Sequence, residues 1–534
     1  MIEFSWEFHA TNENFKRMKR NLLLVLIFGV LAVSAIAQEK LPNIVYIMVD
    51  DMGIGDVSVY NPDSKIKTPN IDQLAKQGLL FTDAHTAAAV CTPTRYGLIT
   101  GRYCWRSPLK ERVISGYDPC LIPKERETVA TLLKRNGYST ALVGKWHLGL
   151  NWTCKQGEYI KGIKNDLGET EDKIDFSNPI QHGPTHVGFD YYFGIAASWD
   201  MPPYIFIEND KLVEKPGEKI GGWVGFVTEG KSLKDVTNND SVPKQAWRKG
   251  YSGSLKPDEA IQVITDKTVE YIQNVSTEKP FFLLVTYAAP HTPVVPGKEF
   301  RGKSACGLYG DFCQELDQGI GAIVQSLKEL KLSENTMIVF TADNGASLKA
   351  IPPGAQKKYD HSPSYNLSGF KARLTEGGHR VPYIVSWPGH TPQGLESDEL
   401  ICLNDLYATC AALVDEKVKD NAAEDSYNIL PILKGEKMMS NAERIVIHSD
   451  AGGYFGIRYK NWKLSFPRNK RPVLNDLATD ITEENNLYEE HPEMVQKLTA
   501  MLTDAIMQGR TTQGLKQNNV EPKSWEQLYW LNEK

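Results

Sequence analysis

The sequence predicts an α/β layer fold on a mostly parallel central sheet, and three observations carry that expectation. Five apolar runs, at residues 43–49, 140–143, 281–287, 337–341 and 383–386, have the length and β-branched content of strands covered on both faces. Amphipathic helical patterns lie between several of them, the alternation that builds layered α/β domains. Four of the runs are followed by polar clusters: Asp50-Asp51, Lys145 with His147, His291, and Asp343-Asn344. Open α/β sheets place their sites beyond the carboxyl ends of the strands, so these clusters are expected to converge.

The elements follow in order. Asn43-Ile44-Val45-Tyr46-Ile47-Met48-Val49 stops abruptly at Asp50, as a central strand does at a turn. Helical periodicity spans Thr128 to Asn136, closed by Gly137, and then Ile261 to Asn274. A third helix is expected from Asp311 to Leu330, with Leu316, Ile320, Ile323 and Leu327 on one face. The stretch from Asn151 to Lys256 is rich in Gly, Lys, Asn and aromatics and lacks helical period, so loops and small strands over the sheet are expected there. Strand-like segments restart near Ala442, at Arg444 to Ile447, Tyr454 to Tyr459 and Trp462 to Ser465, before a helix from Pro492 to Met507. They predict a smaller C-terminal α/β subdomain with a short antiparallel sheet. The resulting division is 1–37 as a leader, 38–436 as the main domain and 437–534 as the subdomain.

Composition narrows the function classes. The 534 residues are 41% hydrophobic and 24% charged, enough for a large core and unlike a disordered chain. A net charge of −6 with no basic stripe argues against nucleic acid as partner. Met18-Lys19-Arg20, an apolar run from Leu22 to Ala35, and the small-x-small Ala35-Ile36-Ala37 read as a secretory signal. The run is shorter than the roughly 20 residues a membrane span needs, so cleavage near Gln38 is expected and no membrane insertion afterwards. Residues 1–17 are unlike an n-region, which makes Met18 an alternative start, and no cysteine follows the run to anchor a lipid. Export is therefore expected, to the periplasm first and to the medium second. An exported chain is free to form disulfides. Of its eight cysteines, setting Cys91 aside for chemistry leaves seven, so at least one stays unpaired; Cys104 and Cys120 are either a pair near the site's rim or bystanders.

Asp50, Asp51, Asp343 and Asn344 offer only oxygen ligands, which suit a hard cation, calcium first and magnesium second, rather than zinc. Cys91-Thr92-Pro93-Thr94-Arg95, followed by Thr100-Gly101-Arg102, resembles the signature of the type I, formylglycine-dependent sulfatases. Pro93 suits the first turn of a helix whose N-terminus would face an anion, with Arg95 one turn on. The resemblance extends from Pro42 into the C-terminal subdomain. It implies an alkaline-phosphatase-like fold and conversion of Cys91 to formylglycine by a maturation enzyme. One hydroxyl of the hydrated aldehyde would attack sulfur, and the other would re-form the aldehyde and expel sulfate. Asp50, Asp51, Asp343 and Asn344 would hold the metal, with Cys91 joining them. Gly144-Lys145-Trp146-His147 is similar to a block whose Lys binds sulfate and whose His assists breakdown of the diol. His291, in Pro290-His291-Thr292-Pro293, would protonate the leaving alcohol, and Lys371, heading a block through Pro382, would be the second sulfate-binding Lys. Arg95 would add positive charge.

The substrate is expected to be a sulfated glycosaminoglycan or mucin-type glycan, with galactose or N-acetylgalactosamine O6 the specific expectation. Asp200 is expected either to accept a sugar hydroxyl or to serve a structural turn. The alternatives are small aryl sulfates, a phosphoesterase of the same superfamily, and a glycan-binding relative without activity. The last would be expected to lack Cys91, Lys145 or His147, all of which are present.

Overall fold

The Asn43 run lies at the middle of a ten-stranded sheet in the computed structural model of the chain. The structure describes residues 40–160, 162–163, 170–220, 223–226, 244–254, 256–436, 444–520 and 525–531. The leader at 1–37 and the boundary between 436 and 437 fall outside the described residues or at their edge.

In chain order the sheet's strands are β1 (Asn43–Asp50), β2 (Leu79–Phe81), β3 (Ser139–Lys145), β4 (Tyr191–Ile195), β5 (Ile207–Glu208), β6 (Lys211–Leu212), β7 (Phe281–Pro290), β8 (Thr336–Ala342), β9 (Tyr383–Ser386) and β10 (Leu395–Ser397). Across the sheet they run β10, β2, β9, β8, β1, β7, β3, β4, β5, β6. The five central strands, β8 through β4, are mutually parallel, with Ile44 of β1 opposite both Phe282 and Met337. Every residue of β1 is buried, as expected of a strand covered on both faces.

The helices match the expected periods with shifts at their ends. The helix Val129–Arg135 is capped by Thr128, whose hydroxyl accepts from the Thr131 N–H at 3.1 Å, and Gly137 follows at φ +88°. Ala260–Asn274 is helical as expected, while the third helix, Gly307–Glu329, begins a turn before Asp311. Its Leu316, Ile320, Ile323 and Leu327 are all fully buried.

Two elements differ from expectation. The run at 383–386 is β9, and it pairs antiparallel with β8. After β8 the chain stays at the carboxyl end of the sheet, where the Gly345 N–H donates to the Gly378 carbonyl at 3.0 Å. It therefore re-enters the sheet from the end it left, and the next strand has to run backwards. Within 151–256, Tyr191–Ile195 is not a cover strand but joins the sheet beside β3. Its five residues are too few to carry a pattern of their own.

A separate four-stranded antiparallel sheet follows: β11 (Val446–Ser449), β12 (Phe455–Tyr459), β13 (Trp462–Phe466) and β14 (Val473–Asp476). The last of these had no counterpart among the sequence-predicted strands. The helix Pro492–Gln508 packs on it through Leu498, Leu502, Ala505 and Ile506. This core is continuous with Ala87, Tyr103, Trp105 and Leu374, so the small sheet shares its interior with the chain around Cys91. All eight cysteines are free thiols: Cys104 lies against the Ser107 hydroxyl and Cys120 against the Ile122 carbonyl, and they form no pair.

Three fully buried histidines, His85, His379 and His448, stand together between the sheets, with the His379 and His448 rings stacked at 3.6 Å. Burial holds all three below their ordinary value of about 6.5. Lys463 pushes His379 and His448 the same way, and Arg458 pushes His85, against Glu376 and Asp83. The folded protein keeps them neutral while the unfolded chain protonates them below about 6.5, so the unfolded state binds more protons there. Stability is thus present above that value and lost as pH falls through it. The melting temperature is expected to fall between pH 7 and 5.5. Neither ring nitrogen of His448 has a hydrogen-bond partner among the described residues. His448→Leu should therefore flatten the slope by up to about 1.4 kcal/mol per pH unit; an unchanged slope in a pH series of melts would remove His448 as a contributor.

Candidate active site

Four adjacent strands, β8, β1, β7 and β3, end at one edge of the sheet and deliver the clusters together. Asp50 of β1 is level with Pro290 of β7, which places His291 beside it, while Val49 is level with Ala342, which places Asp343 on the other side. Asp50, Asp51, Asp343 and Asn344 are completely buried. One ligand atom from each of Asp50, Cys91 and Asp343 lies within 4.8 Å of the others, and the same holds for Asp50, Asp51 and His291. Asp50 Oδ1, Asp51 Oδ2 and Asn344 Oδ1 have no hydrogen-bond partner among the described residues. Buried oxygens left without donors are costly unless something positive meets them, so the residues fit a hard cation.

Positive side chains surround these oxygens. Lys145 Nζ donates to Asp50 Oδ2 at 2.6 Å, and Lys371 Nζ donates to Asp51 Oδ1. Burial raises the Asp50 carboxyl, but Lys145, His291, Arg95 and Lys371 together hold it well below the carboxylate range. Burial and the neighbouring Asp50 push Asp343 up to about 6, against Arg95 and Lys145.

Cys91 is the first residue of a fully buried helix, Cys91–Thr100, and is itself 3% exposed. Burial pushes its thiol up, opposed by the charges of Lys145 and Lys371. Arg95 is buried. Its Nε and Nη2 donate to Asp343 Oδ2 at 3.0 and 2.7 Å, and its Nη1 donates to the Lys145 carbonyl at 3.0 Å. The guanidinium thus ties the helix Cys91–Thr100 to the ends of β8 and β3.

His147 lies beyond the end of β3, at φ +56°, so it is turned by a loop rather than by strand alternation. Its Nε2 faces the Ile114 carbonyl at 2.8 Å. A carbonyl only accepts, so Nε2 carries the proton and Nδ1, which has no partner among the described residues, is the basic nitrogen. Burial, Lys145 and Arg95 hold the ring well below its ordinary value, which keeps it neutral. The Thr92 hydroxyl donates to the His147 carbonyl at 3.1 Å and couples it to the helix that begins at Cys91. Gly144 sits at φ +123°, where a Cβ would lie 1.9 Å from the Thr286 carbonyl oxygen; only glycine lets β3 and β7 close up here.

His291 is 9% exposed where His147 is fully buried, so it stands nearer the mouth. Its Nδ1 donates to the Thr292 carbonyl, leaving Nε2 3.7 Å from Asp51 Oδ2. Asp200 belongs to the turn 198–201, and its Oδ1 accepts from the Ser198 hydroxyl at 2.8 Å. The Ile114 carbonyl and the anchor of Arg95 on Asp343 were not legible in the sequence, because neither has a motif.

The family model described as Sulfatase matches residues 42–416. The chain belongs to the sulfatase family. It is 33% identical over 498 residues to an N-acetylgalactosamine-6-O-sulfatase of Bacteroides thetaiotaomicron, covering 86% of this chain and 92% of that protein. It is also 30% identical over 480 residues to human steryl-sulfatase, covering 81% of this chain and 76% of that protein. A solved Bacteroides thetaiotaomicron sulfatase, from work on the metabolism of multiple glycosaminoglycans, superposes with a TM-score of 0.75 at 32% identity. That match covers 88% of this sulfatase and 99% of the other chain. The expected fold is thereby shown, as is the class of enzyme, a sulfuric ester hydrolase. Among the described residues, no helix of this sulfatase is long and apolar enough to cross a membrane.

Proposed function

We propose that this sulfatase removes sulfate from O6 of galactose or N-acetylgalactosamine units in an exported glycan-degrading setting, the periplasm first. The observation that supports the sugar is the 33% identity to the N-acetylgalactosamine-6-O-sulfatase over 92% of that protein's length. Cys91 becomes formylglycine, and because it is 3% exposed the maturation enzyme has to act before the fold closes. Asp50, Asp51, Asp343, Asn344 and the modified residue 91 hold calcium, or magnesium second. The ion, when bound, neutralises charge on the sulfate.

The chain's own residues do the rest. Lys145 and Lys371 neutralise the remaining sulfate oxygens, and Arg95 keeps Asp343 and the nucleophile helix in register. One hydroxyl of a residue-91 diol would bond to sulfur as the S–O bond to the sugar breaks, its proton passing to the Asp343 carboxylate, which has a ligand atom within 4.8 Å of that of residue 91, while His291, as the imidazolium, gives its Nε2 proton to the departing oxygen. His147 Nδ1 then takes the proton of the second hydroxyl. The aldehyde re-forms as the C–O bond to sulfate breaks. Asp200, on the turn after β4, either accepts a sugar hydroxyl or serves only the turn it braces through Ser198.

A panel of sulfated mono- and disaccharides, with 4-nitrophenyl sulfate alongside, tests the substrate. The 6-sulfated galactosamine and galactose esters are expected to show the highest kcat/KM. A higher value for the aryl ester, or for a sugar sulfated elsewhere, would overturn that assignment.

A further inference from the structure

Behind the site lies a buried charge cluster that none of the chemistry above uses. Glu376 and His379, in the single helical turn Glu376–His379, meet Asp83, His85, His448, Arg458, Lys463 and Glu483. His85, Glu376 and His379 offer three ligand atoms within 4.8 Å, the spacing of a metal site. Yet Lys463 Nζ stands 3.2 Å from His379 Nε2 and 3.0 Å from Glu376 Oε1, and Arg458 Nη1 stands 3.1 Å from His85 Nε2. Two cations already stand beside those side chains, so the cluster is not built for another.

What the turn touches gives the cluster a role. The Gly378 carbonyl accepts from Gly345, the residue after Asp343-Asn344, and a Cβ on Gly345 would lie 1.8 Å from the Gly377 oxygen. The His379 carbonyl accepts from the Thr86 N–H at 2.8 Å, on the chain leading to Cys91. Lys371 lies five residues upstream, its neighbour Ala372 bonded to the Ala89 carbonyl at 2.8 Å. One helical turn does not hold its own shape. Here both carboxylate oxygens and the N–H of Glu376 are held from the C-terminal segment. Lys463 donates to Oε1 at 3.0 Å, Arg458 to Oε2 at 3.1 Å, and Glu483 Oε2 accepts the N–H at 2.7 Å. On the same side, the Ala89 N–H donates to the Ser449 carbonyl of β11 at 2.7 Å.

We propose that Glu376, Lys463 and Arg458 are positioning residues for the sulfatase reaction, through which the C-terminal sheet places Lys371 and the Asp343-Asn344 loop. A buried charge cluster is often no more stabilising than an apolar core of the same volume. The inference rests on the reading of Lys371, Asp343 and Asn344 given above.

Glu376→Gln and Lys463→Met test it, with Leu498→Ala as a variant that weakens the same small core without touching a charge. Melting temperature is measured with and without calcium, and kcat and KM well below the melting point. Positioning predicts a kcat loss of roughly 10- to 100-fold in folded Glu376→Gln and Lys463→Met, the scale of an ångström-level misplacement. It also predicts a calcium-induced rise in melting temperature smaller than in wild type, with both quantities unchanged in Leu498→Ala. Equal destabilisation with and without calcium, at wild-type kcat, would reduce the cluster to a structural role and overturn the proposal. Should Lys463→Met not fold, Glu483→Gln carries the same expectation for kcat and for the calcium shift. No calcium shift in wild type would sink the metal reading itself, while a normal wild-type shift kept by Glu376→Gln would sink only the positioning role.

Discussion

Cys91→Ala is expected to abolish turnover, and Cys91→Ser to take up one sulfo group per chain and then stop. The side chain sits at the first residue of a buried helix, within reach of the charges of Lys145 and Lys371, so either substitution leaves the surrounding charges in place. Ser offers one oxygen, which is enough to bond to sulfur and displace the alcohol. It offers no second hydroxyl whose proton can be taken to re-form a carbonyl and break the C–O bond. Intact mass of the Ser variant after exposure to substrate should show a single added SO3, and wild type should show loss of two hydrogens and exchange of S for O at residue 91. Melting curves separate chemistry from folding, since neither change alters the packing of the helix much. Multiple turnover by the Ser variant at the wild-type rate would show that no diol is needed.

His291→Ala is expected to lose roughly 10²- to 10⁴-fold in kcat on a sulfated sugar, the range of general acid catalysis. The Thr292 carbonyl accepts a hydrogen bond from Nδ1–H, which leaves Nε2 facing the site from its less buried side. A sugar alkoxide leaves poorly without a proton, whereas nitrophenolate leaves well, so the loss on 4-nitrophenyl sulfate should be clearly smaller wherever wild type accepts that ester. His147→Ala should penalise both substrates alike if breakdown of the common intermediate limits the rate, because Nδ1 would act after the alcohol has gone. Equal losses on the two substrates in His291→Ala would take it out of the leaving-group role and make His147 or Lys371 the better candidate.

Much of the site was legible in the sequence because each cluster carries its own address. An apolar run announces a buried strand, and the first polar residue after it announces the strand's end, so Asp50, Lys145, His291 and Asp343 could be placed at one edge without knowing the strand order. The Cys91 signature was equally local, since its spacing over one helical turn fixes which side chains share a face.

Partners across long separations were a different matter. Lys371 meets Asp51 over 320 residues of chain, and Arg95 meets Asp343 over 248. Nothing in the pattern around Arg95 distinguishes a guanidinium aimed at sulfate from one bonded to a carboxylate. The direction of β9 depended on where the chain after β8 was held, at Gly345 and Gly378, rather than on Tyr383 to Ser386 themselves. The cluster of Glu376, Arg458 and Lys463 likewise joins a helical turn to two strands that each look ordinary alone. Periodicity reports that a side chain is buried, which is a property of its own segment. Which charge meets it there is decided only when distant segments close over one another and each buried ion has to find a counter-ion or be left unpaired.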